Sequence, residues 1–318
     1  MKKAVRSALE LFEKFIFAEF IWLTAKYLRR SKTYPNLQPL GWIIHKSIEL
    51  LVNRLKIVRN DNSFANESEI INKTLSKIDL SDNFLVDVGA ADGIRQSSTS
   101  HFLNKLGWTG ALFEFDPDSF SRLAFLYNDR DDLLLCKTKV TPENVAQLFH
   151  GIGIPEKFSF LNIDIDSYDL SVLRSLLGNG FRPSLISMEV NESFPPEIDF
   201  EVLYSDTHVW EGDHFFGCSL AAANSCLKEF GYLLACMEYN NAIFVLEEFS
   251  PIIQQPGNLM EVYNIGYKNK PNRKEVFPWN ADMEFMLSDI PTQEKIDAID
   301  KMFTQYEGKY LINGRIKP

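Results

Sequence analysis

The sequence predicts an α/β protein in which helices cover both faces of a mostly parallel β-sheet. From about residue 65 to residue 250, short apolar runs alternate with longer stretches of helical periodicity. Several of the short runs end on Gly, Asp or Glu, and ligands bind at the carboxyl ends of strands in open α/β sheets. The composition, 45% hydrophobic and 24% charged over 318 residues, is that of a globular protein with a large core.

Each element is predicted from its periodicity and from the turn residues that flank it. The predicted strands span residues 84–88, 111–114, 133–137, 158–163, 184–189, 232–237 and 241–246, the last two as a hairpin. The predicted helices span residues 67–78, 96–106, 119–128, 142–149, 170–177 and 220–230. Because strands alternate with helices, a ligand site is expected where the strand order reverses.

Three regions are predicted along the chain. They are a helical basic arm (1–60), the α/β domain (65–250), and a C-terminal region (251–318). The C-terminal region is predicted as an extended linker from Pro251 to Pro278 and a helical extension whose helix opens at Pro291. The arm carries 12 Lys and Arg against four Asp and Glu, whereas the remainder carries 21 against 39. An acidic body argues against nucleic acid as a partner.

The N-terminal arm leaves two interpretations open. Apolar residues at steps of three and four predict a helix over 9–23, too interrupted by charge to span a membrane, and a second helix over 41–57. The arm either packs on the body or on a second copy, giving a homo-oligomer, or residues 1–58 contact a membrane surface through the basic residues between Lys26 and Lys32. The four cysteines lack metal or disulfide spacing, which favours a cytoplasmic location.

The loop after the first predicted strand reads Asp87-Val-Gly-Ala-Ala-Asp-Gly93. Gly89 allows a tight turn and close approach to a ligand, so a side chain there is expected to fill the ligand's space. Asp87 suits a cationic ligand group better than a pyrophosphate. The glycine fingerprint of dinucleotide enzymes is absent. Glu114, 25 residues after Gly89, ends the second strand, where an acidic residue reaches ribose hydroxyls.

These segments resemble the FkbM-type family of S-adenosylmethionine-dependent class I methyltransferases. The resembling segments are VDVGAADG (86–93), LFEFDPDSFSRL (112–123), FLNIDIDSYDLSVL (160–173), ISMEVNESFPP (186–196) and FFGCSLAAANSCLKEFGYLL (215–234). The resemblance implies a Rossmann-like class I fold, S-adenosylmethionine as cofactor, and methyl transfer to an oxygen of a saccharide or another small hydroxylated molecule. Two other functions stay open: a nucleotide-binding oxidoreductase, and a non-catalytic cofactor-binding scaffold recruited by the arm.

The resemblance also implies which residues hold the cofactor. In the first loop they are Asp87, Gly89, Ala90, Ala91 and Gly93, with Ala91 standing where the family's loop has a glycine. The ribose hydroxyls are assigned to Glu114, with Asp116 as the second choice. This second choice arises because the family's acidic–Pro pair is interrupted here by Phe115 and Asp116.

Carboxylates follow the fourth and fifth predicted strands. Asp164 and Asp166 lie after the fourth, and Glu189 ends the fifth, so the three are expected to meet at one edge of the sheet. Like charges repel unless a cation or hydrogen bonds compensate, and oxygen-only ligands favour Mg²⁺ or Ca²⁺. Such an ion would orient an acceptor hydroxyl and lower its pKa. The alternative is that Asp164 and Asp166 cap the next helix or bind the acceptor or the cofactor directly.

A candidate general base lies in the loop His208-Val-Trp-Glu-Gly-Asp-His214, after the fifth strand, where an acceptor would enter. Either histidine has a pKa suited to taking a hydroxyl proton. The aromatic residues Trp210, Phe215 and Phe216 either form a wall for the acceptor or pack internally.

Overall fold

The computed structural model describes residues 63–80, 82–251 and 257–317, together with the single residues 39 and 253. The predicted arm helices and the basic residues between Lys26 and Lys32 lie outside the described residues, so both interpretations of the arm stay predictions. Within the described ranges, no helix has the combination of length and hydropathy that crossing a membrane requires.

The main sheet has seven strands. They are β1 (Phe84–Val88), β2 (Thr109–Glu114), β3 (Leu133–Lys137), β4 (Lys157–Ile163), β5 (Arg182–Glu189), β7 (Tyr232–Glu238) and β8 (Asn241–Leu246). Their order across the sheet is β3-β2-β1-β4-β5-β8-β7, with β8 antiparallel to both its neighbours and all other pairs parallel. This order, ending in an antiparallel hairpin, is that of the class I methyltransferase fold, and the predicted fold class is confirmed.

Six helices cover the two faces of this sheet. They are α1 (Glu67–Leu75), α2 (Ser100–Lys105), α3 (Pro117–Leu126), α4 (Val145–Gly151), α5 (Asp169–Gly178) and α6 (Leu220–Glu229). Apolar residues of α1 to α3 bury one face, around Phe102 and Leu123. Apolar residues of α4 to α6 bury the other, around Phe149 and Leu173. Both cores are the packed layers that an α/β sheet requires.

A small second sheet was not predicted. It consists of β6 (Phe200–Val202), β9 (Tyr310–Ile312) and β10 (Arg315–Ile316) in the order β10-β9-β6, with both pairs antiparallel. A third core, containing Phe215 and Phe303, lies against it. Strands of two or three residues are too short to show a period of two, which is why the sequence pattern did not reveal them.

The prediction of an extended linker from Pro251 to Pro278 is wrong. This stretch contains α7 (Leu259–Tyr263), a π-helical turn (Asn264–Lys268) and α8 (Arg273–Val276). A 3-10 stretch and the predicted last helix, α9 (Thr292–Met302), follow. The buried Tyr263 fixes the stretch to the loop after β5, because its hydroxyl donates to the Glu192 carbonyl at 2.6 Å.

The backbones that follow β1 and β4 touch at Gly89. The Asp164 N–H donates to the Val88 carbonyl at 2.9 Å, and an ideal Cβ on Gly89 would overlap the Asp164 carbonyl oxygen. Gly89 also has a φ of +96°, a conformation that L side chains rarely adopt. The expectation that a side chain at Gly89 would fill the ligand's space is therefore corrected, since the space belongs to the β4 backbone.

Gly89→Ala should lower the free energy of unfolding by more than an alanine in a left-handed conformation lowers it elsewhere. The matched control is Gly153→Ala, because Gly153 has a φ of +77° but no neighbouring atom that a Cβ would meet. The control should cost about 1–2 kcal/mol, and Gly89→Ala should exceed it because the Asp164 carbonyl must also move. Urea unfolding followed by circular dichroism measures both, and equal losses would contradict the close approach.

Candidate functional site

A cleft of about 370 Å³ opens at the carboxyl ends of the central strands. The strand order reverses between β1 and β4, which is where open α/β sheets place their ligands. The walls come from the loop after β1, the ends of β2, β3 and β4, and residues 208–210 of the segment that follows β6. The volume falls in the range of small-molecule sites.

Glu114 stands on the cleft wall with its carboxylate held by two backbone donors. The Ala91 N–H donates to Oε2 at 2.8 Å, and the Asp116 N–H donates to Oε1 at 2.5 Å. The loop after β1 is itself tied to β2, because the Gly89 and Ala90 N–H groups both donate to the Phe113 carbonyl at 3.0 Å. The ends of β1 and β2 therefore form one rigid corner with a fixed carboxylate.

Ala91 adopts the left-handed conformation that a glycine would adopt more easily. Its φ is +47° and it is exposed on the cleft wall. An alanine at this position therefore leaves the turn in place at a cost of about 1–2 kcal/mol. Gly93, with a φ of +74°, packs against Leu123 of α3, and Ala90 is buried.

Asp87 lies beneath the cleft rather than on its wall. Its carboxylate is 2% exposed and accepts hydrogen bonds from Thr99 Oγ1 at 2.6 Å and Asn162 Nδ2 at 2.9 Å. Burial raises the pKa of Asp87, and these two bonds oppose that rise. The structure shows Asp87 in contact with Thr99, after β1, and with Asn162 of β4. A contact between Asp87 and a cofactor stays a prediction.

Asp116 is exposed and caps helix α3. Its Oδ2 accepts the Ser119 N–H at 2.7 Å, and this bond lowers the pKa of Asp116. Asp116 also lines the cleft. Two residues are candidates for the ribose hydroxyls. One oxygen of Asp116 is already used in capping α3, whereas Glu114 lines the cleft and is held in position by two backbone N–H groups.

Asp164, Asp166 and Glu189 meet as predicted. Each offers a carboxylate oxygen within 4.8 Å of the other two. Glu189 is 7% exposed; its Oε1 accepts Asn240 Nδ2 at 2.9 Å, and its buried Oε2 has no hydrogen-bond partner in the described part of the chain. Burial, followed by the charges of Asp164 and Asp166, raises the pKa of Glu189 well above its usual range.

The two aspartates of this carboxylate cluster are perturbed in the same direction. Partial loss of surrounding water raises the pKa of Asp164 and of Asp166, although the Asp166 side chain is still exposed, and for Asp164 the negative charge of Asp166 adds to the rise. The turn that presents them is fixed by Asp169, which accepts the Ile165 and Ser167 N–H groups at 2.8 and 3.1 Å. Asp169, which the sequence did not single out, therefore holds the turn before α5, and neither Asp164 nor Asp166 caps that helix, whose N-cap residue is Tyr168 without a side-chain capping bond.

The structure separates the two candidate bases. His208 lines the cleft, and its buried Nε2 has no hydrogen-bond partner among the residues described. Burial, followed by Lys309, lowers its pKa, which keeps the imidazole neutral. His214 does not line the cleft; its Nε2 lies 3.0 Å from Asp282 Oδ1 in the C-terminal extension.

The C-terminal extension supports the cleft wall. Trp210 lines the cleft and donates from Nε1 to the Asp213 carbonyl at 2.7 Å. Asp213 Oδ2 in turn accepts the Tyr306 hydroxyl at 2.7 Å. Phe215 is fully buried and stacks on Tyr306 with ring centroids 3.8 Å apart, so it packs internally and is not a wall residue. Phe216 contacts the Trp210 ring edge-on.

No protein-family model matches the chain, and no curated protein sequence is similar to it. Solved structures that are similar include three proteins with low identity. Fibrillarin of Aeropyrum pernix, in complex with natively bound S-adenosyl-L-methionine, is 13% identical, with a TM-score of 0.35. The match covers 52% of this chain and 66% of the fibrillarin chain, so it spans slightly less than two thirds of fibrillarin.

The N-terminal domain of EvdMO1, crystallised in the presence of SAH and D-fucose, is 10% identical, covers 62% of this chain and 94% of its own, and has a TM-score of 0.38. The precorrin-6y C5,15-methyltransferase of Geobacter metallireducens is 15% identical over 56% of this chain and 85% of its own, with a TM-score of 0.34. These proteins are methyltransferases or carry the cofactor or its product, and the likeness is too distant to indicate an acceptor.

Glu189→Gln should stabilise the protein at neutral pH. Because the pKa of Glu189 is raised on folding, the folded state binds its proton more tightly than the unfolded chain. Stability is therefore lost as pH rises from the ordinary carboxyl range through the raised pKa. Gln avoids this loss, so we expect a gain of about 1 kcal/mol or more at pH 7, and little change near pH 4, where the carboxyl is protonated.

Urea unfolding at the two pH values measures this effect. The matched control is Glu156→Gln, because Glu156 is exposed and lies outside the cleft; it should change stability by no more than about 0.5 kcal/mol at either pH. A destabilised Glu189→Gln at pH 7 would mean that the charged form of Glu189 is compensated.

Proposed function

We propose that the protein transfers the methyl group of S-adenosylmethionine to an oxygen of a saccharide or another small hydroxylated molecule. The observation that carries the proposal is the Glu114 carboxylate, fixed at the end of β2 by the Ala91 and Asp116 N–H groups beside a cleft at the reversal of strand order. A carboxylate in that place accepts two ribose hydroxyls. The segments that resemble the FkbM-type family support membership of that family.

In this proposal the cofactor lies along the ends of β1 and β2. Glu114 accepts the ribose hydroxyls, and Ala91 and Gly89 line the cleft beside it. Asp87 acts from beneath, because it holds Thr99 and Asn162 in place behind the loop. The cofactor supplies an electrophilic methyl group, so the main task of the protein is to align an acceptor oxygen with it.

The acceptor lies between the carboxylate cluster and the segment that carries His208 and Trp210. His208 is the better base of the two histidines, because it lines the cleft and burial lowers its pKa, which favours the neutral imidazole that a general base requires. His214 is committed to Asp282. Trp210 offers an aromatic edge or face to a sugar ring, held by its bond to Asp213.

We further propose that the carboxylate cluster holds Mg²⁺. The three residues provide only oxygen ligands, which suit a hard divalent cation. The buried Glu189 Oε2, which no described donor satisfies, is the atom that a cation would compensate. Asp164, Asp166 and Glu189 would hold the ion, and the ion would lower the pKa of an acceptor hydroxyl.

Replacing Glu114 by Gln should weaken cofactor binding about tenfold, because a hydrogen bond to a charged group contributes roughly 1.5–3 kcal/mol. Calorimetric titration with S-adenosylmethionine should show one site per chain in the wild type. Asp116→Asn is the matched control: Asn still caps α3, so affinity should hardly change. The reverse ranking would move the ribose site to Asp116.

The same preparations test the reaction itself. With a panel of saccharides, the wild type should release S-adenosylhomocysteine, and Glu114→Gln should do so more slowly at limiting cofactor. Cofactor binding without release on every acceptor of the panel would favour the non-catalytic scaffold over the enzyme.

Mg²⁺ should raise the melting temperature of the wild-type protein, because an ion that binds only the folded state stabilises it. Asp166→Asn should abolish the rise. Asp166 is exposed and has a φ of +54°, which Asn tolerates, so the variant should fold normally. The control is Asp118→Asn in the first turn of α3, which is exposed and outside the cluster. An equal rise in both variants would remove the metal from the cluster.

A further inference from the structure

Strand β3 is an edge strand of the main sheet, and most of its side chains are apolar. Among the residues that the structure describes, it pairs only with β2, and its residues are Leu133, Leu134, Leu135, Cys136 and Lys137. Leu134 is 42% exposed. Natural edge strands are usually protected by a central charge, a proline or a bulge, and this strand has only the terminal Lys137. An exposed edge of this kind is suited to pairing with another strand.

The backbone of β3 presents a regular set of groups on its outer side. The Thr138 N–H donates to the Glu114 carbonyl of β2 at 3.1 Å. Because N–H and C=O groups alternate sides along a strand, residues 134 and 136 also face β2, and Leu133, Leu135 and Lys137 face outward. Within the described ranges, the outward N–H groups of Leu135 and Lys137 have no backbone acceptor.

We propose that β3 pairs antiparallel with β3 of a second copy, forming a two-fold symmetric dimer with a continuous sheet. With Leu135 on the two-fold axis, the two Leu135 residues exchange both backbone hydrogen bonds. Each Lys137 N–H then donates to the Leu133 carbonyl of the other copy. This register uses both backbone groups of Leu135, the N–H of Lys137 and the carbonyl of Leu133, whereas the Leu133 N–H already donates to the Arg130 carbonyl of its own chain at 3.3 Å. A two-fold contact of this kind closes on itself.

The charges at the two ends of the strand favour the same antiparallel arrangement. Lys137 and Asp131 are both exposed and lie at opposite ends of β3. Antiparallel pairing places Lys137 of each copy opposite Leu133 and diagonal to Asp131 of the other, within reach of a long side chain. A parallel pairing would instead bring like charges together. Leu134 and Cys136 then face one another across the two-fold as a non-hydrogen-bonded pair.

A disulfide tests both the contact and its register. Leu134→Cys would place a thiol opposite the native Cys136 of the other copy, at the Cα separation of about 4.5 Å typical of non-hydrogen-bonded pairs, within disulfide range. Cys136 is a free, half-buried cysteine. The full-length variant, mildly oxidised, should run at twice the chain mass on a non-reducing gel. Leu134→Cys combined with Cys136→Ser should not.

Light scattering of the unmodified full-length chain over a dilution series gives the second measurement. The wild type should have twice the mass of one chain, and Lys137→Pro, which removes an outward N–H, should shift it towards the monomer. Lys137→Ala, which keeps the N–H, should shift it less. A wild type that is monomeric throughout would overturn the proposal. So would a dimer that neither cross-links at residue 134 nor responds to Lys137→Pro.

Discussion

The contact between the Gly89 backbone and the Asp164 carbonyl determines the geometry of the whole site. Strands β1 and β4 lie side by side at the centre of the sheet, and the chain must leave both of them within a few ångströms of the same point. With no side chain at residue 89, the β1 loop can turn towards β2 and reach Glu114, while the β4 loop turns the other way and presents Asp164 and Asp166. The two halves of the cleft thus share one close backbone contact.

The negative charges of the cleft are distributed unequally between these halves. On the β2 side, Glu114 is compensated by two backbone donors. On the β4 side, burial and mutual repulsion raise the pKa values of Asp164, Asp166 and Glu189, and one oxygen of Glu189 has no described donor. Compensated carboxylates suit the recognition of neutral hydroxyls. Uncompensated ones suit a cation or a shared proton, which gives the two sides distinct chemistry.

The alternating part of the fold could be predicted because each strand has a buried apolar run between clear turn residues. The predicted bounds of β1 and β3 are those of the structure, and Glu114 and the carboxylate cluster were found because strand ends in a parallel sheet converge. The pairing of β6 with β9 joins residues more than a hundred positions apart through three-residue strands, and no local pattern encodes it. The partner of His214 is likewise 68 positions away.

The support of Trp210 by Tyr306 has a consequence for how the molecule is made. The seven strands of the main sheet are complete once the ribosome has synthesised Leu246, whereas β6 lacks its partner until Ile312 has emerged. Asp213 and Phe215 also lack a contact until Tyr306 has been synthesised. The Tyr306 hydroxyl donates to Asp213, and the Tyr306 ring stacks on Phe215. During synthesis the side of the cleft that carries Glu114 can therefore form well before the side that carries Trp210. A chain that stops before Tyr306 would keep the corner around Glu114 but lack the support of the wall at Trp210.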